Sequence, residues 1–364
     1  MLYLFFATFT LLVIIRRKPT ILVAERNLRS SSSFPSHCTN AQLTMIRSQL
    51  PPDACLKTHR RPWANNCSFS FATRCPQAVW VDEFYQHHAA QTAVYVGCNK
   101  GMDAINALRM ISANPAIDKN AWRDSFFKDQ TIESGVCNQE FGEQFSIPAS
   151  RTQTPAVVHC IEAMPITAAH LNRTAGELGL HESLIVTNAA MASVDGVAVF
   201  PNVEEKVGVE GMGLADCKKN QDHCKEVPLY KLDTYLKDSG PIDFISVDVE
   251  GYDFDVLLGA NETLPRVRYL EFEYNWKGSW GKQKLSDATN FLKSHGFTCY
   301  WAGTEGHIWR ITDCWLDYYD LHFWSNVACV NLNDPVIEPM ARRMEQLFQE
   351  TLAAGKSIQI AEKL

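Results

Sequence analysis

The amino-acid sequence predicts an α/β protein with a doubly wound, mostly parallel sheet, helices on both faces and an N-terminal cysteine-containing extension. Two observations lead to this fold class. Between about residues 91 and 335, short β-rich runs alternate with helix-like runs. One run, residues 243–249, is apolar with little alternation, which is typical of a strand buried on both faces. Ligands of such sheets bind beyond the carboxyl ends of the strands, so the residues that follow each strand matter most.

The elements of this region can be predicted in order along the chain. Strands are expected at residues 93–98, 156–162, 183–190, 196–200, 243–249, 269–273 and 298–302. Helices are expected at residues 102–111, 166–178, 254–260 and 285–295. After them, Pro339 suits the start of a C-terminal helix. Apolar residues at helical spacing then predict that this helix covers core: Met340, Met344, Leu347, Phe348 and Leu352.

The chain is predicted to divide into five regions. They are a signal peptide or signal-anchor (1–18), a polar stem (19–37), an irregular disulfide-tied extension (38–90), the alternating domain (91–335) and the C-terminal helix (336–364). The first apolar run is shorter than the roughly 20 residues that span a bilayer, and a buried N-terminal helix is the alternative. The basic residues that follow it would hold the next segment in the cytoplasm.

The cysteines and sequons point to the opposite compartment. Twelve cysteines and three Asn-X-Ser/Thr sequons are spread over the chain, which favours an oxidising lumen. We therefore expect the secretory pathway, with a lumenal domain anchored in the Golgi or ER membrane or a secreted form. No pair of cysteines has the C-x-x-C spacing of zinc ligands, so a structural zinc site is not expected. Cys98 and Cys160 are expected to be free and buried, and pairs are expected among Cys38, Cys55, Cys67, Cys75, Cys217 and Cys224.

The overall charge limits the partners. Lysine and arginine number 34 against 41 acidic residues, which gives a net charge of −7. Because no basic surplus is available to neutralise phosphates, a nucleic-acid partner is not expected. A small molecule or a glycan is the expected partner, and no oligomeric state is predicted.

Two segments at strand ends suggest a nucleoside-containing ligand. Gly97 to Gly101 form a glycine loop between a strand and a helix, where the backbone can approach a ligand and helix amides are free. Glu162 ends the next strand, where a carboxylate can accept both hydroxyls of a ribose. A structural turn and a solvated cap are the alternatives. The loop lacks the G-x-G-x-x-G pattern, and Glu162 lies 65 residues after Gly97 rather than about 20, so a nicotinamide-dependent oxidoreductase is disfavoured.

The sequence resembles the FkbM-type S-adenosylmethionine-dependent methyltransferases over about residues 91–303. The strongest match is the segment from Ile245 to Gly251, which is similar to the family's Asp-x-Glu-Gly strand end. Several weaker matches follow in the right order, namely Val96–Gly101, Glu162–Pro165, Asn188–Ala190 with Asp195–Gly196, Leu232–Asp233, and Glu271 with Glu273.

The resemblance implies a Rossmann-like methyltransferase sheet and S-adenosyl-L-methionine as cofactor. It implies cofactor contacts at Gly97, Asn99, Gly101, Glu162, Asn188 and Ala189. It also implies a hydroxyl acceptor, and a lumenal enzyme would suit a glycan or glycolipid. Asp248 and Glu250 are the predicted catalytic pair, because side chains two apart on a strand point the same way and one carboxylate can take the acceptor's proton. A cap and a solvated loop residue are the structural alternatives for this pair. No metal site is predicted, because further oxygen ligands for a cation cannot be identified.

Departures from the family pattern leave a second function open. Tyr95 stands where the family usually has an acid, Ser246 where it often has Lys, Asp253 where it often has Glu, and Ala163 in place of a proline. Insertions at about 112–154 and 202–226 lie beside the strand ends, where substrate is chosen. The alternative is a catalytically inactive carbohydrate-binding or structural ectodomain. Six tryptophans are candidates for stacking on sugars or for core packing: Trp276, Trp280, Trp301, Trp309, Trp315 and Trp324.

Overall fold

The computed structural model describes residues 34, 37–49, 84, 88–128, 144, 146–204, 207–209, 217, 223–302, 307–320, 322 and 325–354. The central feature of these residues is an eight-stranded sheet, accompanied by a three-stranded one. The strands in chain order are β1 Thr92–Val96, β2 Val157–Glu162, β3 Leu184–Asn188, β4 Ala190–Met191, β5 Gly196–Pro201, β6 Cys224–Tyr230, β7 Ile242–Val247, β8 Val267–Tyr274, β9 Phe297–Ala302, β10 Ile308–Arg310 and β11 Ser325–Asn331.

The strand order of the main sheet indicates where a ligand would bind. The strands run β10-β9-β11-β8-β7-β1-β2-β3. Strands β3, β2, β1, β7 and β8 pair in parallel, whereas β11 is antiparallel to both β8 and β9. Strands β1 to β3 proceed towards one side and β7 to β8 towards the other, so the order reverses between β1 and β7. The crevice outside the carboxyl ends at such a reversal is where α/β sheets bind ligands. The predicted α/β class with a mostly parallel sheet is confirmed.

Helices cover both faces of the main sheet, as a right-handed crossover between parallel strands requires. The helices are α1 Asn40–Gln49, α2 Met102–Ser112, α3 Lys119–Phe126, α4 Pro165–Glu177, α5 Leu232–Tyr235, α6 Asp253–Leu258, α7 Leu285–Ser294 and α8 Glu338–Ala354. By the crossover rule, α2 and α4 lie on one face, which we call the α2 face, and α6 and α7 on the other. The α2 face includes Tyr95, Cys160, Ser246 and Glu271, which are aligned across the strands.

A small second sheet adjoins the end of β3. Its order is β4-β6-β5, and it packs a core of Met164, Ala190, Phe200 and Val227. The run at 196–200 is a strand as predicted, but it belongs to this sheet rather than to the main one. Strand β6 begins inside the segment treated above as an insertion, at Cys224, which is bonded to Cys217. Strands β6, β10 and β11 were missed.

The predicted C-terminal helix is confirmed, and it covers the core. Helix α8 buries Met340, Met344, Leu347, Phe348 and Leu352. Helix α1 contacts α8, where the Gln49 side-chain amide donates to the Thr351 carbonyl at 2.9 Å. The expectation of irregular structure is thus wrong for residues 40–49, since they form a helix. The rest of the extension up to residue 83 lies outside the described residues.

Four disulfides join described cysteines, namely Cys38–Cys314, Cys98–Cys160, Cys217–Cys224 and Cys299–Cys329. The first ties the N-terminal extension to the domain. The prediction that Cys98 and Cys160 are free is wrong, because they face each other where β2 passes the loop after β1. Four disulfides indicate an oxidising environment. The predicted pairing of Cys55, Cys67 and Cys75 lies outside the described residues, as does the proposed signal or anchor. Within the described ranges, no helix is long and apolar enough to cross a membrane.

A buried charge network fixes the amino ends of β7 and β8. Asp243, 3% exposed, accepts from Arg268 at 2.6 Å and from the Gln91 and Thr92 amides at 2.7 and 3.0 Å. Its other neighbour is the His88 ring, with Nε2 at 2.7 Å from Oδ1. Although burial opposes ionisation, these hydrogen bonds lower the pKa of Asp243 to about 2. The network anchors the segment before β1 to the sheet.

Candidate active site

The glycine loop after β1 meets the loop after β7. Gly97 has a left-handed φ of 86°, and a Cβ there would lie 1.7 Å from the carbonyl oxygen of Asp248. The Asp248 amide also donates to the Val96 carbonyl at 2.9 Å. Only glycine fits at this contact, because any side chain would collide with backbone that cannot move independently. The two loops predicted to bind cofactor and acceptor are therefore neighbours at the strand-order reversal.

The amides of this loop are engaged by the protein itself. The Gly97 and Cys98 amides both donate to the Ile161 carbonyl at 3.0 Å, and the Gly101 amide donates to the Cys98 carbonyl at 2.9 Å. The Asn99 amide donates to Glu162 Oε2 at 2.8 Å. The expectation that the loop offers free amides is wrong for these four groups. A ligand here would be held mainly by side chains on a loop that is already rigid.

Gly101 serves packing rather than ligand access. Its φ is 74°, and a Cβ there would lie 2.9 Å from the Leu171 and Trp122 side chains. The Trp122 indole in turn donates to the Lys100 carbonyl at 2.8 Å. We expected Gly101 to let the backbone approach a ligand. The structure gives a different reason, which is that α3 and α4 press against this point of the loop.

Glu162 is a buried acceptor at the end of β2. It is 7% exposed, and its Oε1 accepts from the Met164 amide at 2.8 Å while Oε2 accepts from Asn99. Burial raises its pKa, and the amide hydrogen bonds from Met164, Asn99 and Ala163 oppose that rise. Each oxygen has a second lone pair, so the carboxylate can still accept hydroxyl donors. The residue thus fits the predicted ribose contact.

Asn188 and Ala189 differ in what they offer. The Asn188 side-chain amide donates to the Glu162 carbonyl at 2.9 Å, and the residue is exposed beside Glu162. Ala189 is 1% exposed and its own amide donates to the same carbonyl at 3.2 Å. Asn188 can therefore contact an adenine base bound next to Glu162, whereas Ala189 is buried and does not reach the surface of the site.

The predicted catalytic pair does not sit on a strand. Strand β7 ends at Val247, and Asp248 and Glu250 follow it in a turn. Glu250 adopts a left-handed φ of 56°. The argument from two-residue strand alternation is therefore wrong, although both carboxylates do lie at the carboxyl end of β7. Glu250 forms an ion pair with Lys277, which the sequence reasoning missed.

Asp253 holds this turn in place. It is fully buried and accepts from the Val249 amide at 3.3 Å and the Gly251 amide at 3.2 Å. The Trp280 indole also donates to it, at 3.2 Å. Burial and then the charge of Asp248 raise the pKa of Asp253 well above its usual range. Asp253 thus fixes the turn before α6, a helix whose N-terminus has no side-chain cap.

A third carboxyl, Glu273, completes the acidic group at the end of β8. It is 6% exposed, and the Asn275 side-chain amide donates to its Oε2 at 2.6 Å. Burial, together with Asp248, Asp253 and Glu250, raises its pKa well above the usual range. Burial lowers the pKa of Lys277, but its bond to Glu250 outweighs this and leaves the pKa raised. Lys277 therefore stays charged beside several acids.

Other candidates lie elsewhere or serve packing. His307, which could act as a base in place of Asp248, precedes β10. Strands β9, β11 and β8 lie between β10 and β7, so β10 is about 19 Å from β7 at strand spacing. Trp280, Trp301 and Trp309 are at most 1% exposed and thus pack the core. Trp276, the residue before Lys277, is 36% exposed. Among the described residues, no group of three or more potential ligands is arranged around a metal.

Part of the second insertion reaches the glycine loop. The Gly208 amide donates to Thr167 Oγ1 at 3.2 Å, and a Cβ at Gly208 would lie 2.9 Å from the Lys100 side chain. His170 Nε2 lies 3.0 Å from Glu204 Oε1 in the same segment. The insertion thus borders the site, where it was expected to influence ligand choice.

Comparison with known proteins now identifies the domain. Residues 137–299 match the family model described as the methyltransferase FkbM domain. The chain contains an FkbM-type methyltransferase domain. The matched part of this FkbM domain holds Glu162, Asp248 and Glu250, and it begins after the glycine loop. The family implies S-adenosylmethionine as methyl donor.

Two solved structures are also similar to the chain that carries the FkbM domain. A human methyltransferase 10 domain containing protein shares 9% identity over 68% of this chain and 77% of that one, with a TM-score of 0.27. The crystal structure of a proposed O-methyltransferase from Klebsiella pneumoniae shares 10% identity over 80% of this chain and 96% of that one, with a TM-score of 0.30. No curated protein matches the sequence significantly.

Proposed function

We propose that the domain transfers a methyl group from S-adenosylmethionine to a hydroxyl oxygen of a glycan or glycolipid in the lumen of the secretory pathway. The observation that carries this proposal is the direct contact between the loop after β1, which Glu162 braces, and the acidic turn after β7. A donor held at Glu162 and an acceptor held at Asp248 would meet there.

The acidic turn supports different roles for its two carboxylates. Glu250 forms an ion pair with Lys277, and Asp248 is exposed at the edge of the site. We assign Asp248 as the base that takes the acceptor's proton, and Glu250 with Lys277 as the pair that shapes the turn. The bound cofactor supplies an electrophilic methyl group on a sulfonium. Glu162 would hold the donor and Asp248 the acceptor's hydroxyl, whose oxygen would take the methyl carbon with the cofactor's sulfur as leaving group. Positioning of the two would supply most of the rate gain.

Three features support a glycan acceptor in this compartment. The exposed Trp276 lies beside Lys277 and offers an aromatic surface of the kind that packs on sugar rings. The net charge of −7 disfavours a polyanionic acceptor. The four disulfides suit a lumenal enzyme.

Calorimetry and methyl-label transfer test the proposal. The full chain, made in a secretory host, should bind S-adenosylmethionine and its demethylated product S-adenosylhomocysteine, and should label members of a glycan and glycolipid panel. Asp248→Asn should lower turnover at least about 100-fold, the usual scale for a lost acid–base group, with little change in cofactor affinity. Asp238→Asn is the matched control, since that side chain is 90% exposed. Near-normal turnover of Asp248→Asn on a genuine acceptor would refute the assignment of the base.

The alternative is an ectodomain that has lost the cofactor. Tyr95 favours it, because the ring is 8% exposed, packs edge-on against Phe244 at 5.5 Å, and offers no carboxylate. Absence of binding heat with both cofactor forms, together with retained glycan binding, would select this alternative.

A further inference from the structure

Two of the three sequons lie among the described residues, and both present their asparagine to solvent. Asn172 is exposed on α4, and Thr174 completes its sequon. Asn261 is exposed in the turn that follows α6, and Thr263 completes its sequon. The third sequon, at Asn66, lies outside the described residues. An N-linked glycan is bulky and solvated, so it requires an asparagine side chain that is exposed in this way.

The threonines of these two sequons are buried, and their hydroxyls are unpaired. Thr174 and Thr263 are both 0% exposed. Neither Oγ1 atom has a hydrogen-bond partner within the described part of the chain. Burying a hydroxyl without a partner lowers stability, and valine has nearly the same shape without this cost. The packing of the fold therefore favours valine over threonine at both positions.

The other buried threonines in the described ranges have partners. Their Oγ1 atoms bond to backbone groups at 2.8–3.2 Å, in Thr167, Thr289, Thr312 and Thr351. Buried polar atoms are rarely left unpaired in native proteins, so the two exceptions need a reason. Both exceptions are the third residue of a sequon, which is the position that requires a hydroxyl.

We infer that Asn172 and Asn261 each carry an N-linked glycan, and that threonine occupies positions 174 and 263 because glycosylation requires it. The asparagine side-chain nitrogen forms a bond to the anomeric carbon of an oligosaccharide carried on a lipid pyrophosphate. The bond from that carbon to the pyrophosphate oxygen breaks, the lipid pyrophosphate leaves, and the nitrogen loses one proton. Because both threonine hydroxyls are inaccessible in the folded protein, the sequons must be recognised before the chain folds.

Both glycans would lie away from the candidate active site. The turn with Asn261 precedes β8 at its amino end, whereas Glu273 lies near the carboxyl end of this strand. Asn172 follows Pro165, the first residue of α4, by seven residues, which is about 10 Å along the helix from the carboxyl end of β2. The carboxyl ends of the strands stay open. The inference thus shares only the lumenal compartment with the proposed function and is independent of methyl transfer.

Peptide mass mapping tests the inference on the full chain, expressed in eukaryotic cells with its own N-terminus. Enzymatic release of N-glycans converts a modified asparagine to aspartate, and we expect this change at Asn172 and Asn261. Asn120, which is exposed on α3 but is not part of a sequon, is the control and should stay unchanged. Thr174→Val should abolish the glycan at Asn172. Thr174→Ser keeps a hydroxyl and should keep the glycan.

Urea unfolding tests whether the Thr174 hydroxyl has a structural role. Asn172→Gln alone and Asn172→Gln combined with Thr174→Val both lack this glycan and differ only at residue 174. Since the hydroxyl has no partner, the double variant should unfold at an equal or higher urea concentration. Thr312→Val is the matched control. It removes the acceptor of the buried Cys299 amide, at 2.9 Å, and should lower the urea midpoint.

The outcomes distinguish this inference from the proposed function. If the disulfides have formed but both asparagines are unmodified, only the inference fails. If the cysteines are also free, the lumenal part of the proposed function fails with it. A glycan at one asparagine alone would overturn the assignment of the other. A urea midpoint that falls with Thr174→Val as it does with Thr312→Val would show that the hydroxyl serves the fold, and would overturn the argument from its burial.

Discussion

The buried network around Asp243 makes a quantitative prediction about acid stability. The pKa of Asp243 is about 2 in the folded protein, against an ordinary value of 3.8. A depressed pKa means that the ionised group stabilises the fold above the unfolded value, and that this contribution is lost as pH falls through the folded value. The shift of 3.8 − 2 ≈ 1.8 units corresponds to about 2 kcal/mol, lost between about pH 4 and pH 2.

Asp243→Asn should remove this contribution and also weaken the fold at neutral pH. Breaking a buried ion pair typically costs 3–5 kcal/mol, and we expect about 3 kcal/mol because Arg268 keeps its bond to Asp334 at 2.8 Å. Urea unfolding of the disulfide-intact protein at pH 7, 4 and 2.5 measures both effects. Other acids titrate in the same range. The measured quantity is therefore the difference between wild type and Asp243→Asn in how much unfolding free energy each loses on acidification, with Asp238→Asn as control. Equal losses in wild type and Asp243→Asn between pH 4 and 2.5 would refute the reasoning.

Three more predictions concern the loops of the site. Gly97→Ala should reduce the yield of folded protein sharply, because the added Cβ would overlap the Asp248 carbonyl. A variant that folds with a normal melting temperature would contradict this close contact. Replacing Cys98 and Cys160 together by Ala should lower stability by about 4 kcal/mol, from the 62-residue separation, and an unchanged urea midpoint would show that the bond does not constrain the unfolded chain. Lys277→Met should lower turnover while leaving the binding of S-adenosylhomocysteine nearly intact, and an unchanged turnover would remove the pair with Glu250 from the proposed mechanism.

The strands that carry the site were predictable because they have a simple signal. Residues 243–249 are apolar and continuous, and the run at 156–162 ends in a carboxylate, so both strands were found within one or two residues of their observed bounds. Strand β11 was missed although it is almost fully buried. The position of Ser325–Asn331 in the sheet depends on antiparallel pairing with β8 and β9. Such pairing is a tertiary contact that local patterns do not specify.

The details of the site were less predictable than its location. Asp248 and Glu250 were placed at the right strand end, but their orientation depends on a left-handed residue and on Asp253, which binds two amides of the turn. Lys277 is 27 residues from Glu250, and nothing in the spacing connects them. The bond between Cys98 and Cys160 was missed for the same reason, since it requires the aligned neighbours β1 and β2.

The bond between Cys38 and Cys314 has a consequence for biosynthesis. Its cysteines are 276 residues apart, so it cannot close until nearly the whole chain has entered the compartment where it folds. Cys38 arrives first, and the nine cysteines between it and Cys314 all appear before its partner does. Disulfides rearrange by thiolate attack through mixed intermediates, so early wrong pairs must be exchanged before α1 can dock on α8. The rate at which the finished protein leaves this compartment should therefore depend on its supply of disulfide isomerase.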